Sequence, residues 1–171
     1  MTKSRQTGWI IGLMCLILAA WSLPAAALEF PLNGKSWALW GSTRETSRLG
    51  REATVAKERY CPTGGCVIRL DRITVTPPRA RAGETLLLTT SYTLLTPEQI
   101  DIPITITREI FFQGKSLGRT KSMDSRQRNG SFDQEVNFQL PPNAARGTYN
   151  LVTTISTGFG QSKKSADFVV E

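Results

Sequence analysis

The feature that most constrains this chain is a repeated alternation of apolar and polar side chains, which begins at Val67 and continues to the end of the sequence. In its clearest example, the segment 131–140, the apolar residues fall only on even positions, at Phe132, Val136, Phe138 and Leu140. A period of two places successive side chains on opposite faces of a β-strand, so each such segment is predicted to bury one face. No helical segment of about 10 to 15 residues separates these segments, which argues against a parallel sheet of βαβ units.

Six segments are predicted to be strands, because turn-forming residues lie between them. The six cover about residues 68–75, 84–95, 102–112, 131–140, 149–155 and 166–170. A less regular seventh strand is predicted at Leu117–Met123. The apolar phase changes within the first strand, which predicts a β-bulge near Asp71 and Arg72. Arg108 falls on the apolar face of its strand, so we expect an inward-pointing charge near a sheet edge or a pair with a buried carboxylate. Strands of this number and length indicate an antiparallel β-sandwich of about seven strands.

The closing part of this region resembles bacterial extracytoplasmic immunoglobulin-like domains. Pro141–Leu151 has the proline-containing turn of that family, followed by Gly-x-Tyr at the penultimate strand, which Gly147 and Tyr149 match. The opening segment Val75–Leu86 is similar to the same family. The resemblance covers about residues 67–171 and implies an immunoglobulin-like sandwich, in which Tyr149 lies at a corner and its hydroxyl bonds back to the backbone. The cysteine and tryptophan core of antibody domains is missing from the matching region.

Residues 1–27 have the pattern of a secretory signal peptide. Lys3 and Arg5 precede the uncharged apolar run Trp9–Leu23, and small residues supply a cleavage site before Leu28. We therefore expect an exported chain, periplasmic or extracellular. The run is shorter than the ~20 residues that cross a bilayer. An uncleaved anchor is the alternative, and a membrane contact is expected only in that case.

Residues 28–66 are predicted to be an extension that precedes the sandwich domain at 67–171. Ser42 and Glu45 have the spacing of a helix capping box, although the residues that follow are mostly charged. The segment as far as Arg59 is therefore expected to be a weak, exposed helix or an irregular linker.

Two groups of residues are candidates for ligand binding. Trp37 and Trp40 are the only tryptophans after the signal segment. Such residues more often pack on the neighbouring domain, but they also suit a sugar or a protein partner. Five basic residues face the single acid Asp124 within 14 positions, namely Lys115, Arg119, Lys121, Arg126 and Arg128. They suit an anionic polymer, polysaccharide or headgroup, although charged edges also block sheet-to-sheet aggregation.

Cys61 and Cys66 are the two cysteines that remain after cleavage of the signal segment. An even pair in an exported chain predicts a structural disulfide, which would close the Pro-Thr-Gly-Gly turn between them. Redox chemistry is the alternative, but dithiol oxidoreductases place only two residues between their cysteines, and a helix rather than a strand follows. Two thiolates alone make a poor zinc site, so no metal is predicted.

The chain contains no histidine among its 171 residues, which excludes histidine-dependent nucleophilic catalysis and histidine-bound zinc or haem. Phosphate-binding and calcium-binding loop patterns are also missing, so we predict no cofactor. The acids on and around the predicted strands are scattered, at Asp71, Glu84, Glu109, Asp133 and Glu135. Solvated sheet faces commonly carry such residues, so a small carboxylate-dependent hydrolase is only the second alternative.

These features favour a non-catalytic, exported accessory module of the cell envelope. It is expected to bind another envelope protein through a sheet edge or its end loops. The first alternative is a domain that binds a carbohydrate or an anionic envelope polymer. Nucleic acid is not expected as a partner, because the chain is exported and no aromatic residue interleaves the basic segment.

Overall fold

The structure, a computed structural model, describes residues 37–171 apart from the side chains of Pro62 and of residues 121–124. The predicted signal peptide and its cleavage site lie outside the described residues. The strands are β1 (Leu39–Trp40), β2 (Arg44–Gly50), β3 (Val67–Thr76), β4 (Arg79–Ala80), β5 (Thr85–Leu95), β6 (Ile102–Phe112), β7 (Lys115–Gln127), β8 (Gly130–Gln139), β9 (Gly147–Thr157) and β10 (Gly160–Val170). One helix, α1 (Arg51–Glu58), and a short 3-10 turn (Pro62–Gly64) lie between β2 and β3. The described part of the chain contains no helix with the length and apolar character needed to cross a membrane.

The strands form two sheets, so the predicted all-β sandwich is confirmed. The first sheet has the order β3–β5–β8, and both β1 and β2 pair with the other edge of β8. The second has the order β4–β10–β9–β6–β7, in which only β4 and β10 run parallel. The less regular seventh strand of the sequence analysis is part of β7. The predicted bulge in β3 is also confirmed, because the pairing with β5 shifts between Leu70 and Arg72.

The apolar alternation fills the space between the two sheets. In the first sheet, the cross-strand partners Leu88 and Val136 are almost completely buried. In the second sheet, Ile106 on β6 and Leu151 on β9 are buried to the same degree. These side chains belong to one cluster of buried apolar residues. Burial of one face on each strand therefore holds the sheets together, as the period of two predicts.

The segment before residue 67 differs from its prediction. Residues 44–50 form β2, which extends the first sheet along β8, and the helix begins only at Arg51. Ser42 and Glu45 therefore form no capping box, and α1 has Gly50 at its N-cap without a side-chain cap. β2 can approach β8 closely because Gly130 has no side chain: a Cβ there would lie 2.5 Å from the carbonyl oxygen of Leu49. The sheet thus starts well before the predicted domain boundary at residue 67.

Arg108 is the exception in the apolar core. Its side chain is 3% exposed on β6, opposite Thr153 and one strand in from the edge strand β7. Its Nε and Nη2 have no hydrogen-bond partner, and none of the ion pairs among the described residues includes it. Of the two expectations for Arg108, the inward-pointing charge is therefore observed. A pair with a buried carboxylate is not found among the described residues. Burial lowers the pKa of the Arg108 guanidinium to about 10, so it stays charged at neutral pH.

Candidate functional site

The two ends of the sandwich have different chemistry. We call one the loop end; it comprises residues 96–101, 128–129 and 158–159, together with the start of α1. The strand registers place these segments together, because Gly130 pairs with both Gly50 and Leu94. We call the other the aromatic end, and its rings are Trp37, Trp40, Phe112, Phe138, Tyr149 and Phe168.

The aromatic end is closed by stacked rings. Trp37 stacks on Tyr149 with the ring centroids 5.1 Å apart, and Trp40 stacks on Phe138 at 4.9 Å. Tyr149 also stacks on Phe168 at 5.2 Å and on Phe112 at 4.5 Å. Each tryptophan thus uses one ring face for packing on the domain. This is the structural role that the sequence analysis favoured over a sugar platform.

The Gly-x-Tyr motif lies at the same end. The Tyr149 hydroxyl donates a hydrogen bond to the carbonyl oxygen of Ala145, at 2.7 Å, and the ring is almost completely buried. Gly147 has a φ of 141°, and a Cβ at this position would lie 2.9 Å from the Phe112 ring. The glycine therefore allows both the backbone conformation and the close packing of the aromatic ring.

Like the aromatic end, where Leu39 of β1 is 71% exposed, the loop end exposes apolar side chains. Ile100 is 45% exposed in the connection between β5 and β6, and Phe159 is 41% exposed in the turn between β9 and β10. Both turns lie at this end because Ile104, near the start of β6, pairs with Thr157 at the end of β9. Exposed apolar side chains beside polar ones are typical of surfaces that bind another protein.

A buried asparagine holds the loop that carries Ile100. The Asn129 side-chain oxygen accepts hydrogen bonds from the Thr96 backbone N–H and hydroxyl, at 3.0 and 3.1 Å. Its side-chain nitrogen donates to the carbonyl oxygens of Thr96 and Glu98, at 3.1 and 2.9 Å. These bonds fix residues 96–98 against the start of β8. In the sequence, Asn129 is recognisable only as part of an Asn-Gly turn signal before β8, because its partners lie about thirty residues away.

Beside this loop lies a cavity of about 290 Å³, which we call the loop-end cleft. It is lined by Arg48, Arg51, Arg128, Gln99, Asn129 and Phe132, together with the Gly50 backbone, and no acidic side chain is part of its lining. The pairing of β2 with β8 brings the three arginines together from two distant parts of the chain. The sequence analysis did not identify this cleft.

Arg48 and Arg128 are each held by an acid outside the cleft. The Arg48 Nε lies 2.9 Å from Glu45, its Nη2 donates to Gln127 at 2.9 Å, and its guanidinium lies 5.1 Å above the Phe132 ring. The Arg128 Nε donates to Asp101 at 3.1 Å, while its side chain remains mostly exposed. The cleft therefore has two arginines in defined positions, and both retain further N–H donors.

Arg51 is the third arginine and has no counter-charge. Its Nε is buried and without a hydrogen-bond partner, and none of the ion pairs of the described residues includes it. A buried donor without a partner carries a desolvation cost that a bound acceptor would remove. The cleft thus contains one guanidinium with an unused donor in a partly desolvated position.

The basic residues of the predicted anion-binding patch are spread along β7 and the turn that follows it. Lys115 and Arg126 lie at opposite ends of β7, about 35 Å apart at the usual rise of a strand. Arg119 is paired with Glu109 at 2.6 Å, and the side chain of Lys121 lies outside the described set. Only Arg126 and Arg128 lie near the loop end.

The β7 edge also departs twice from regular pairing with β6, as edge strands that resist aggregation often do.

The structure corrects the predicted disulfide between two cysteines that lie near the loop end, where Val67 pairs with Leu95. Cys61 and Cys66 are both free and exposed. The turn between them is held by other bonds, since the Gly64 N–H donates to the Cys61 carbonyl oxygen at 2.8 Å and the Tyr60 hydroxyl to that of Gly65 at 2.6 Å. The Cys61 sulfur lies 3.0 Å from the Thr63 hydroxyl. Hydrogen bonds from that hydroxyl and from the backbone N–H groups of Thr63 and Gly64 lower the pKa of the Cys61 thiol.

The scattered carboxylates are engaged in hydrogen bonds, four of them on the strands and Glu84 in the turn before β5. Asp71 and Asp133 line one groove of about 440 Å³, where Thr93 donates to Asp71 at 2.7 Å and Ser91 donates to Asp133 at 2.5 Å. The other three carboxylates also accept hydrogen bonds. Glu84 accepts from the Arg81 backbone N–H, Glu109 from the Arg119 guanidinium and Glu135 from the Arg44 guanidinium. Among the described residues, no group of three or more metal-binding side chains is placed to hold an ion.

Comparisons with known proteins give only distant similarities. No protein-family model matches the chain, and no curated protein matches its sequence significantly. The sporulation control protein Spo0M of Bacillus subtilis is 18% identical, with 61% of this chain and 49% of that chain covered and a TM-score of 0.37. A cycloisomaltooligosaccharide glucanotransferase from a Paenibacillus species is 11% identical, with 61% and 14% covered and a TM-score of 0.46. A conjugative transposon lipoprotein from Bacteroides eggerthii is 14% identical, with 59% and 95% covered and a TM-score of 0.36.

This chain therefore spans less than half the length of the first of these proteins and about a seventh of the second. Identities below 20% with TM-scores below 0.5 do not assign the chain to any of their families or functions.

Proposed function

We propose that this protein is a non-catalytic, exported accessory module that binds another protein of the cell envelope through its loop end. The observation that carries the proposal is the exposure of Ile100 and Phe159 at the end of the sandwich that also has an arginine-lined cleft. The opposite end uses its aromatic residues for packing. Apolar side chains surrounded by arginines and amides have the composition of protein interfaces.

Two further parts of the proposal, an immunoglobulin-like fold and export from the cell, rest on separate observations. The sheets β3–β5–β8–β2 and β10–β9–β6–β7 have the strand order of immunoglobulin-like sandwiches, and the Tyr149 hydroxyl bond resembles their tyrosine corner. We therefore propose an immunoglobulin-like domain. Export rests on the signal pattern of residues 1–27, and the N-terminal sequence of the protein recovered from its cells tests it, with Leu28 expected first.

Site-directed cross-linking tests the loop end as the interface. A photoreactive residue is placed at position 100 or 159, and in a control at position 143, an exposed asparagine in the turn between β8 and β9 at the aromatic end. We expect a discrete cross-linked envelope protein from positions 100 and 159 but not from 143. The partner identified in this way is then purified, and its affinity is measured for the wild type and for the Ile100→Asp, Phe159→Asp double variant.

The double variant is expected to bind at least about ten-fold more weakly, because each substitution places a charge in an apolar contact. The matched control Asn143→Asp should bind like the wild type. Equal cross-linking from both ends, or unchanged affinity of the double variant, would contradict the proposal.

A further inference from the structure

We propose that the loop-end cleft is a carboxylate-binding site, and that it accepts an acidic side chain of the protein partner. The identity of the partner rests on the proposed function, whereas the chemistry of the site does not. Its volume of about 290 Å³ is below that of most pockets for drug-sized ligands, and it fits the end of one or two side chains. The site therefore suits a group on an extended segment better than a whole metabolite.

The donors of the cleft favour an anion. Three guanidinium groups line it, and no acidic side chain of the described residues is part of that lining. Arg51 has a buried Nε without a partner, so the free protein contains an unused charged donor. Guanidinium groups bind carboxylates through two parallel hydrogen bonds, which matches the planar fork of arginine. A bound carboxylate would thus provide a counter-charge for Arg51, which forms no ion pair among the described residues.

The charge balance favours a carboxylate over a phosphate. Glu45 pairs with Arg48 and Asp101 pairs with Arg128, so two of the three positive charges are already balanced at the rim. About one positive charge remains, on Arg51, and this matches a monoanion. A phosphate dianion would bring an excess negative charge close to Glu45 and Asp101.

The surroundings indicate how the acidic residue would be presented. Gln99 lines the cleft and is followed directly by the exposed Ile100. Asn129, which also lines the cleft, fixes the beginning of this loop through Thr96 and Glu98. A partner segment that places a carboxylate in the cleft would therefore put its neighbouring residues on Ile100. We infer a recognition motif with an acidic residue next to an apolar one.

A titration followed by NMR tests the site without the partner. N-acetyl-aspartate amide, its neutral analogue N-acetyl-asparagine amide and inorganic phosphate are added in turn to ¹⁵N-labelled protein at constant ionic strength. We expect a saturable shift of the Arg51 Nε–H signal with the aspartate compound only. No saturable shift, the same shift with the asparagine compound, or tighter binding of phosphate would overturn the proposal.

Two variants locate the effect within the cleft. Arg51→Gln and Arg128→Gln should each weaken binding of the aspartate compound about ten-fold, as expected for loss of a charge-assisted hydrogen bond. The matched control is Arg79→Gln, because Arg79 is an exposed arginine outside the cleft that pairs with Glu171. Arg128 is mostly exposed, so its variant reports binding even where Arg51→Gln alters the start of α1. Equal weakening by Arg79→Gln would contradict the assignment to the cleft.

The two proposals fail in different ways. If the partner binds Arg51→Gln as tightly as wild type but loses the Ile100→Asp, Phe159→Asp variant, the interface stands and the carboxylate contact is wrong. If the aspartate compound binds the cleft but no protein cross-links from positions 100 and 159, the carboxylate site stands and the proposed function is wrong.

Discussion

The two ends of this sandwich solve the same structural problem in different ways. At the aromatic end, stacked rings such as Trp37 on Tyr149 and Trp40 on Phe138 close the space between the sheets. At the loop end, hydrogen bonds of one buried asparagine hold the loop between β5 and β6, while Ile100 and its neighbours face outward.

The difference separates stability from binding. Burial of rings stabilises the fold and removes those rings from contact with a partner, although Leu39 of β1 remains exposed at the same end. A loop that is fixed by side-chain to backbone bonds can be ordered without burying its apolar residues. The aromatic end is therefore expected to determine the free energy of unfolding, and the loop end is expected to be replaceable without loss of the fold.

Comparison of one phenylalanine from each end provides the most direct test. Phe168 is 1% exposed and packs on Tyr149 and Phe138, so Phe168→Ala should lower the free energy of unfolding by about 3–5 kcal/mol. Phe159 is 41% exposed, so Phe159→Ala should cost about 1 kcal/mol or less. Urea denaturation followed by fluorescence measures both values. Similar losses for the two variants would show that the ends do not divide stability as described.

Between the two ends, Arg108 is a buried charge that forms no ion pair among the described residues, so its replacement should raise rather than lower the free energy of unfolding. Arg108→Met keeps an unbranched, flexible apolar chain and removes the unpaired donors, so it should raise the free energy of unfolding by about 1–4 kcal/mol. The control is Arg119→Met on β7, where loss of the exposed pair with Glu109 should cost at most about 1 kcal/mol. If Arg108→Met is destabilising in the same urea experiment, the guanidinium makes a stabilising contact in solution.

The parts of the fold that the sequence predicted are those with a local signal. A period of two is contained within each strand, so the inner faces of β5, β6 and β8 follow from the sequence alone. β2 has no such signal because all its residues are exposed. It is a strand only because β8 offers an edge and Gly130 permits the close approach.

The candidate site was not predictable for the same reason. Arg48 and Arg51 lie in a segment that the sequence identified only as charged, and Arg128 belongs to a basic run that extends along β7. Nothing local indicates that β2 brings these residues together across β8. The role of Asn129 likewise depends on two carbonyl oxygens that are distant in sequence.

The smallest expected effect concerns reactivity at the loop end and not stability. The Thr63 hydroxyl is the first cause of the lowered pKa of Cys61, because it stabilises the thiolate. Thr63→Val removes that donor, so the pH at which Cys61 becomes reactive should rise while the urea midpoint stays unchanged. Rates of alkylation by iodoacetamide between pH 6 and 10 measure this in a Cys66→Ser background, where Cys61 is the single cysteine of the described residues. Thr74→Val, on an exposed position of β3, is the control and should leave the profile in place. If Thr63→Val also leaves the pH profile of alkylation unchanged, the Thr63 hydroxyl does not lower the pKa of the Cys61 thiol, and its hydrogen bond only orders the turn.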